Sequence, residues 1–212
     1  LTDSSAASDV YKRQAQAFRF MNKHDVVIAC RGTQATQWND IKADLRAVPI
    51  MAETIGRVHK GFKIEVDDLW PMIKEDLNRI KQSRKAWFCG HSLGAAMTTI
   101  MASRCNYDLD MPDIQEVYTF GSPRVGWRKY CNSLNVKHHR FVNNNDIVPR
   151  VPLWIMGYRH HGKLYYFNRF GKLAKQTLRD RIRGMWNDMK KGSIDIISDH
   201  SMTAYIPCIE KM

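Results

Sequence analysis

No apolar run in this 212-residue chain approaches the roughly 18 residues that a membrane-crossing helix needs, so it holds no such span. Metal-type cysteine spacing is missing too. Cys30, Cys89, Cys105, Cys131 and Cys208 form no paired ligand pattern, and their odd number argues against a complete disulfide framework. That count favours an intracellular or membrane-surface setting and leaves secretion open. Cys30 and Cys89 stand in apolar strand-like runs, as small buried hydrophobes do. Acidic residues are scarce: 21 Asp and Glu face 33 Lys and Arg, a net charge of +12. Such a balance suits contact with anionic lipid headgroups or nucleic acid, or serves solubility alone. There is no recognised nucleic-acid motif and no basic groove, so no nucleic-acid partner is expected. With no internal repeat, what remains is the length of one α/β domain with a sizeable core.

Strand-like and helix-like segments alternate from Ala15 onward, the pattern of a mostly parallel sheet covered by helices. Phe18 to Met21 and Val26 to Cys30 read as neighbouring strands around Asn22-Lys23-His24-Asp25. Gly61 to Gln82 carries Phe62, Val66, Leu69, Ile73, Leu77 and Ile80 at spacings of three and four, an amphipathic helix. Strands are expected at Trp87, Val117 to Phe120 and His139 to Val142, with a short helix near Trp127 to Leu134. Tyr158 to Phe167 reads as a hairpin turning at His161-Gly162. Leu173 to Lys190 and Asp199 to Ile209 read as closing helices. Asp9-Val10-Tyr11-Lys12-Arg13-Gln14 resembles the translation of a transposon end used in preparing sequencing libraries, so residues 1–14 are expected to be a non-native or disordered leader and the native N-terminus to be missing.

Gly90-His91-Ser92-Leu93-Gly94 follows the apolar run Ala86-Trp87-Phe88-Cys89 and precedes Ala95-Ala96-Met97, which is G-x-S-x-G in a strand-turn-helix setting. A sharp turn of this kind lifts a serine hydroxyl clear of the sheet, making Ser92 the candidate nucleophile, and the Leu93 amide at the helix start faces any oxyanion formed on it. Activation needs a base, and the base an orienting acid, in the order Ser, Asp, His for this fold type. Asp146 lies just past the apolar strand Phe141-Val142. Asp108, Asp110 and Asp113 sit in a polar loop with no preceding strand and read as turn formers. Of the histidines after Asp146, His160 and His161 fall at the expected hairpin tip. His200 opens the last helix beside an apolar face, which makes it the candidate base.

Further segments add to these. The strand Val27-Ile28-Ala29-Cys30-Arg31-Gly32-Thr33, the stretch Asp40 to Leu45, His59-Lys60-Gly61-Phe62, Thr119-Phe120-Gly121-Ser122-Pro123-Arg124-Val125-Gly126, Asn145-Asp146-Ile147-Val148-Pro149, and Asp199-His200 with Tyr205 occur in one order. Together they resemble the class 3 lipase family of α/β-hydrolases over nearly all of residues 25–206. The resemblance implies an α/β-hydrolase fold, a mostly parallel central sheet with helices on both faces and a short lid after the oxyanion strand, in a single domain over residues 15–212 that lacks its N-terminal elements. It implies that Thr33 and Leu93 form the oxyanion hole and that Asp44, in the lid, aims the Thr33 hydroxyl. It implies hydrolysis of lipid carboxylic esters by lipase, phospholipase A1 or galactolipase activity through Ser92, Asp146 and His200, with no metal or organic cofactor. A non-catalytic lipid- or partner-binding protein on the same scaffold is the alternative. Two departures stand out. Ile41 occupies a lid position where the family usually carries tryptophan, with Trp38 three residues earlier, and the family's opening helix and strand are absent.

Between Arg159 and Lys191 lie ten basic residues and two acids, with Leu173, Leu178, Ile182, Met185, Trp186 and Met189 on one helical side. That side either packs on the domain or makes peripheral contact with anionic membrane through residues 172–191. The oligomeric state is not readable from these patterns.

Overall fold

The computed structural model describes residues 9–12, 16–32, 47–80, 84–177 and 198–212. Strands β1 (Asp9–Lys12), β2 (Gln16–Met21) and β3 (Asp25–Arg31) form an antiparallel meander. After β4 (Pro49–Met51) and β5 (Arg57–His59) come α1 (Lys60–Ile80), β6 (Lys85–His91), α2 (Leu93–Tyr107) and β7 (Ile114–Phe120). The chain continues through β8 (Gly126–Trp127), α3 (Arg128–Ser133), β9 (His138–Asn143), β10 (Tyr158–Arg159), β11 (Lys163–Phe167), β12 (Leu173–Ala174) and α4 (Met202–Ile209).

The main sheet runs β1-β2-β3-β6-β7-β9-β11-β12, parallel from β3 to β11 and antiparallel at its edges. Parallel strands need long crossovers, and helices supply them. A separate antiparallel sheet orders β10-β8-β5-β4. Successive residues on a strand face opposite sides, which separates two cores. Val117 packs with the α1 and α2 cluster, while its neighbour Tyr118 packs with Phe141, Phe167 and Tyr205 of α4. Phe62, Val66, Leu69, Ile73 and Leu77 of α1 are buried along one stripe, whereas α2 is buried on every side from Gly94 to Cys105, as a helix sealed between a sheet and another helix must be.

Within the expected leader, residues 9–12 form β1, whose backbone pairs with β2. Other expectations change. Tyr158 to Phe167 is not a hairpin, because β10 pairs with β8 in the small sheet and β11 runs parallel to β9 in the large one. Leu173 and Ala174 do not open a helix. They form β12, antiparallel to β11. The expected lid with Asp44, Thr33 of the expected oxyanion hole, and positions 178–191 of the basic segment lie outside the described residues. All five cysteines are free, and burial pushes the Cys30 thiol up to about 12. No helix among the described residues is long and apolar enough to cross a membrane.

Candidate active site

The parallel strands end side by side, and the loops leaving their carboxyl ends carry the candidate residues. Each end is tied to its neighbour: Ser92 N–H donates to the Phe120 carbonyl at 3.0 Å, Gly121 N–H to Phe141 at 3.0 Å, and Asn144 N–H to Phe167 at 2.7 Å. Ser92 joins β6 to α2 with φ 60° and ψ −128°, a conformation that costs a non-glycine residue roughly 1–3 kcal/mol. The flanking glycines make that turn possible. A Cβ on Gly90 would lie 2.5 Å from Thr98 Oγ1, and one on Gly94 would lie 2.2 Å from the Cys30 carbonyl oxygen. Ser92 is fully buried, and its Oγ finds no hydrogen-bond partner among the described residues. Leu93 N–H is one of the first four amides of α2, which have no partner inside the helix.

Asp146 is also buried, in the loop after β9. Its Oδ1 accepts from Val148 N–H at 2.9 Å and its Oδ2 from the Tyr205 hydroxyl at 2.6 Å. His200 Nδ1 lies 3.0 Å from Oδ1 and 2.9 Å from Oδ2, so the carboxylate fixes the ring with Nδ1–H toward it. His200 sits in the turn before α4 rather than on the helix. The structure thus brings together Asp146 and His200, and sets His200 beside the Ser92 elbow through His91.

Three residues of this site stood in the sequence motifs without a role of their own. His91 packs against the His200 ring at a tilt of 31° with centroids 4.5 Å apart, and its Nε2–H donates to the His200 carbonyl at 2.6 Å. Burial, helped by the neighbouring His200, lowers its pKa to about 4, so the ring stays neutral. Tyr205 accepts from Asn143 N–H at 3.0 Å while donating to Asp146, and burial beside that carboxylate holds the phenol protonated. Gly121 has φ 58°, and a Cβ there would come within 2.7 Å of Asp146 Oδ2 and 2.8 Å of His200 Nδ1, so only glycine leaves room for the pair. The signals were present in Thr119-Phe120-Gly121 and in the place of His91 beside Ser92, but only tertiary contact says what they touch. Asp199 lies next to His200 and binds the acid loop instead, accepting from Asn144 Nδ2 at 2.9 Å and Asn145 N–H at 3.2 Å. The two histidines expected at a hairpin tip are half-buried, His161 against His138 and His160 on the Pro149 carbonyl.

Residues 27–156 match the family model described as "Lipase (class 3)". The chain belongs to the class 3 lipase family. Among relatives of this class 3 chain, a lipase of Rhizomucor miehei is 31% identical over 173 residues, 74% of the chain and 46% of the relative. The toxin TseL of Vibrio cholerae is 36% identical over 119 residues, 54% of the chain and 18% of the relative. The chain therefore spans less than half the length of these curated relatives. The solved Rhizomucor miehei triacylglyceride lipase superposes with a TM-score of 0.66 at 26% identity, covering 79% of this chain and 69% of that one. The fold is that of the α/β-hydrolases, as the strand order and the buried elbow independently indicate.

Proposed function

We propose that this chain is a serine hydrolase of lipid carboxylic esters, with Ser92 as nucleophile, His200 as base and Asp146 as the orienting acid. One observation carries the reading: a buried carboxylate holds the His200 imidazole by Nδ1, and that ring packs on His91, which directly precedes a serine kept at positive φ. In the forward step Ser92 Oγ bonds to the ester carbonyl carbon while its proton passes to His200 Nε2. Asp146 stabilises the resulting imidazolium without taking the proton. The carbonyl oxygen becomes an oxyanion, which the Leu93 amide meets, with the Thr33 amide as the second donor. Each donor is worth roughly 3–4 kcal/mol in the barrier. Collapse breaks the bond to the alkoxy oxygen, which leaves as alcohol with the His200 proton. Water then adds to the acyl-enzyme by the same route.

Substrates of the relatives frame the choice of ester. They include the Rhizomucor miehei lipase, a secreted mono- and diacylglycerol lipase of Fusarium solani and the chloroplastic phospholipase A(1) DAD1 of Arabidopsis thaliana. Triacylglycerol, phospholipid and galactolipid esters are the candidate substrates, and a peripheral anionic-membrane contact through residues 172–191 fits the exposed Lys172 and Lys175 at its start. The deciding assay compares wild type and Ser92→Ala on p-nitrophenyl esters, triacylglycerols, phospholipids and galactolipids. Ser92→Ala is expected to lose about 10^4-fold or more in kcat, because nucleophile and base act as a unit. A variant retaining a tenth of wild-type activity would rule out Ser92. Absence of wild-type turnover on every ester would favour the non-catalytic binding alternative.

A further inference from the structure

Four consecutive large apolar side chains stand in solvent on the loop that leaves Asp146: Leu153 is 53% exposed, Trp154 63%, Ile155 75% and Met156 46%. Single exposed apolar residues are ordinary, but a contiguous group marks an interaction surface. We propose that this turn inserts into the interfacial layer of an anionic lipid surface and docks the carboxyl edge of the sheet against it. The proposal rests on the lipid-ester reading above and adds where the molecule meets its substrate phase.

Placing a loop in an apolar layer is costly when its backbone is left unmatched. Here the tip is closed on itself. Met156 N–H donates to the Leu153 carbonyl and Gly157 N–H to the Trp154 carbonyl, both at 3.0 Å, and Arg159 Nη1 donates to the same Trp154 oxygen at 2.6 Å. Gly157, at φ 89°, lies so close to Trp127 that a Cβ would sit 3.1 Å from the indole Nε1, which braces the turn against the small sheet. Two carbonyls and two amides of the tip are thereby matched, on a single-turn 3-10 helix that is already formed before any contact. Tryptophan in particular favours the headgroup level of a bilayer.

Charge picks the occupant. From Gly121 to Thr177 the chain holds eleven Lys or Arg residues and one acid, Asp146, which is buried. Near the base of the turn, Arg57 lies over the Trp127 ring at 5.2 Å, and the exposed Arg128 and Lys129 follow Trp127 directly. An apolar tip with cations at its base matches anionic headgroups over acyl chains, and each basic residue near such a surface adds attraction. A second copy would bring the same cations face to face. The position fits as well, because Arg124 binds the Arg150 and Pro152 carbonyls, lacing the loop of Gly121 to the loop of Asp146 just before the tip.

The test is sedimentation with phosphatidylcholine vesicles, with and without phosphatidylglycerol, for wild type, Ser92→Ala, Ile155→Lys and the pair Trp154→Ser with Ile155→Ser. These side chains are exposed, so thermal melts of the variants are expected to match wild type. Both tip variants should weaken partition onto phosphatidylglycerol-containing vesicles by about tenfold or more, the value of removing one or two inserted side chains. Ile155→Lys adds a cation, so its loss can only come from lost insertion. Turnover of a soluble short p-nitrophenyl ester should stay within about twofold, since nothing at the site is touched. Ser92→Ala should bind vesicles as wild type does, so docking can stand even if the hydrolase reading fails. Unchanged partition of both tip variants overturns the proposal. So does a dimer by light scattering that Ile155→Lys dissolves, which would assign the turn to self-association.

Discussion

Two groups of buried and half-buried histidines stand among the described residues, and they differ in their charged neighbours. At the carboxyl edge of the sheet, His200 meets the Asp146 carboxylate through Nδ1, with the tilted His91 ring packed against its own. Behind β9, His138 bonds Thr119 Oγ1 at 2.7 Å and His161 at 3.1 Å, and His160 bonds the Pro149 carbonyl at 2.8 Å. The second group has Arg140 and Arg124 in place of an acid, and burial together with those cations drives His138 and His160 well below the ordinary imidazole range. A carboxylate lets an enclosed imidazole accept a proton in passing, while arginine forbids it. The same residue type thus stands against a carboxylate in one place, where the proposed base sits, and among arginines in the other.

The sharpest way to break that comparison is to neutralise the acid. Asp146→Asn should lower kcat by about 10^4-fold in a folded protein, because the amide no longer demands Nδ1–H from His200 and the wrong tautomer faces Ser92. Asp199→Asn is the control, since Asp199 holds the acid loop through Asn144 and Asn145. It should cost less than about tenfold. If Asp199→Asn proved the more damaging in steady-state assays, Asp146 would not be the triad acid.

Smaller effects are expected from the groups that hold the pair. His91→Ala removes the hydrogen bond to the His200 carbonyl and the ring beneath the imidazole. Loss of that seat should lower kcat by about 10- to 100-fold, the scale of a displacement near 1 Å, with KM little changed. His91→Gln, which can still donate to the carbonyl, should recover part of the loss, and equal defects in both variants would mean that His91 only fills space. Tyr205→Phe deletes a donor to the Asp146 carboxylate and an acceptor for Asn143 N–H. Hydrogen bonds to charged groups contribute about 1.5–3 kcal/mol, so about a tenfold fall in kcat and a lower melting temperature should appear together. Wild-type kcat in Tyr205→Phe would show that Val148 N–H alone positions the acid.

How much of this was legible follows from what each signal depends on. The α1 stripe from Phe62 to Leu77 is a local periodicity and was readable, as was the elbow around Ser92, where two glycines and an apolar strand define the turn. Strand pairing is not local. Tyr158 to Phe167 alternates as a hairpin does, yet its two arms enter different sheets, because nothing within ten residues records that β8 and β9 wait on either side. The supporting residues were hidden for the same reason. Gly121 and Tyr205 stood in quoted motifs, but their purpose is contact with Asp146, which lies 25 positions from one and 59 from the other.

The weakest expected effect on turnover, and the clearest on stability, comes from the arginine-ringed group. His160 is held neutral by burial first and by Arg140 and Arg124 next, so its folded pKa lies well below the ordinary imidazole value of 6.5. In the unfolded chain it titrates near 6.5. Below that pH the unfolded state therefore binds the extra proton, and stability falls as pH drops, at up to about 1.4 kcal/mol per pH unit for each such histidine. His138 adds to the same slope, since burial first and the facing His161, Arg140 and His139 next push it in the same direction. His160→Gln keeps a donor for the Pro149 carbonyl but cannot titrate. Urea unfolding measured from pH 7 down to pH 5 should give wild type a steep loss and His160→Gln a slope shallower by about one proton, with kcat on a soluble ester unchanged. Parallel slopes would show that His160 already carries its proton in the folded state, and the contrast between the two histidine groups would then fail at its arginine side.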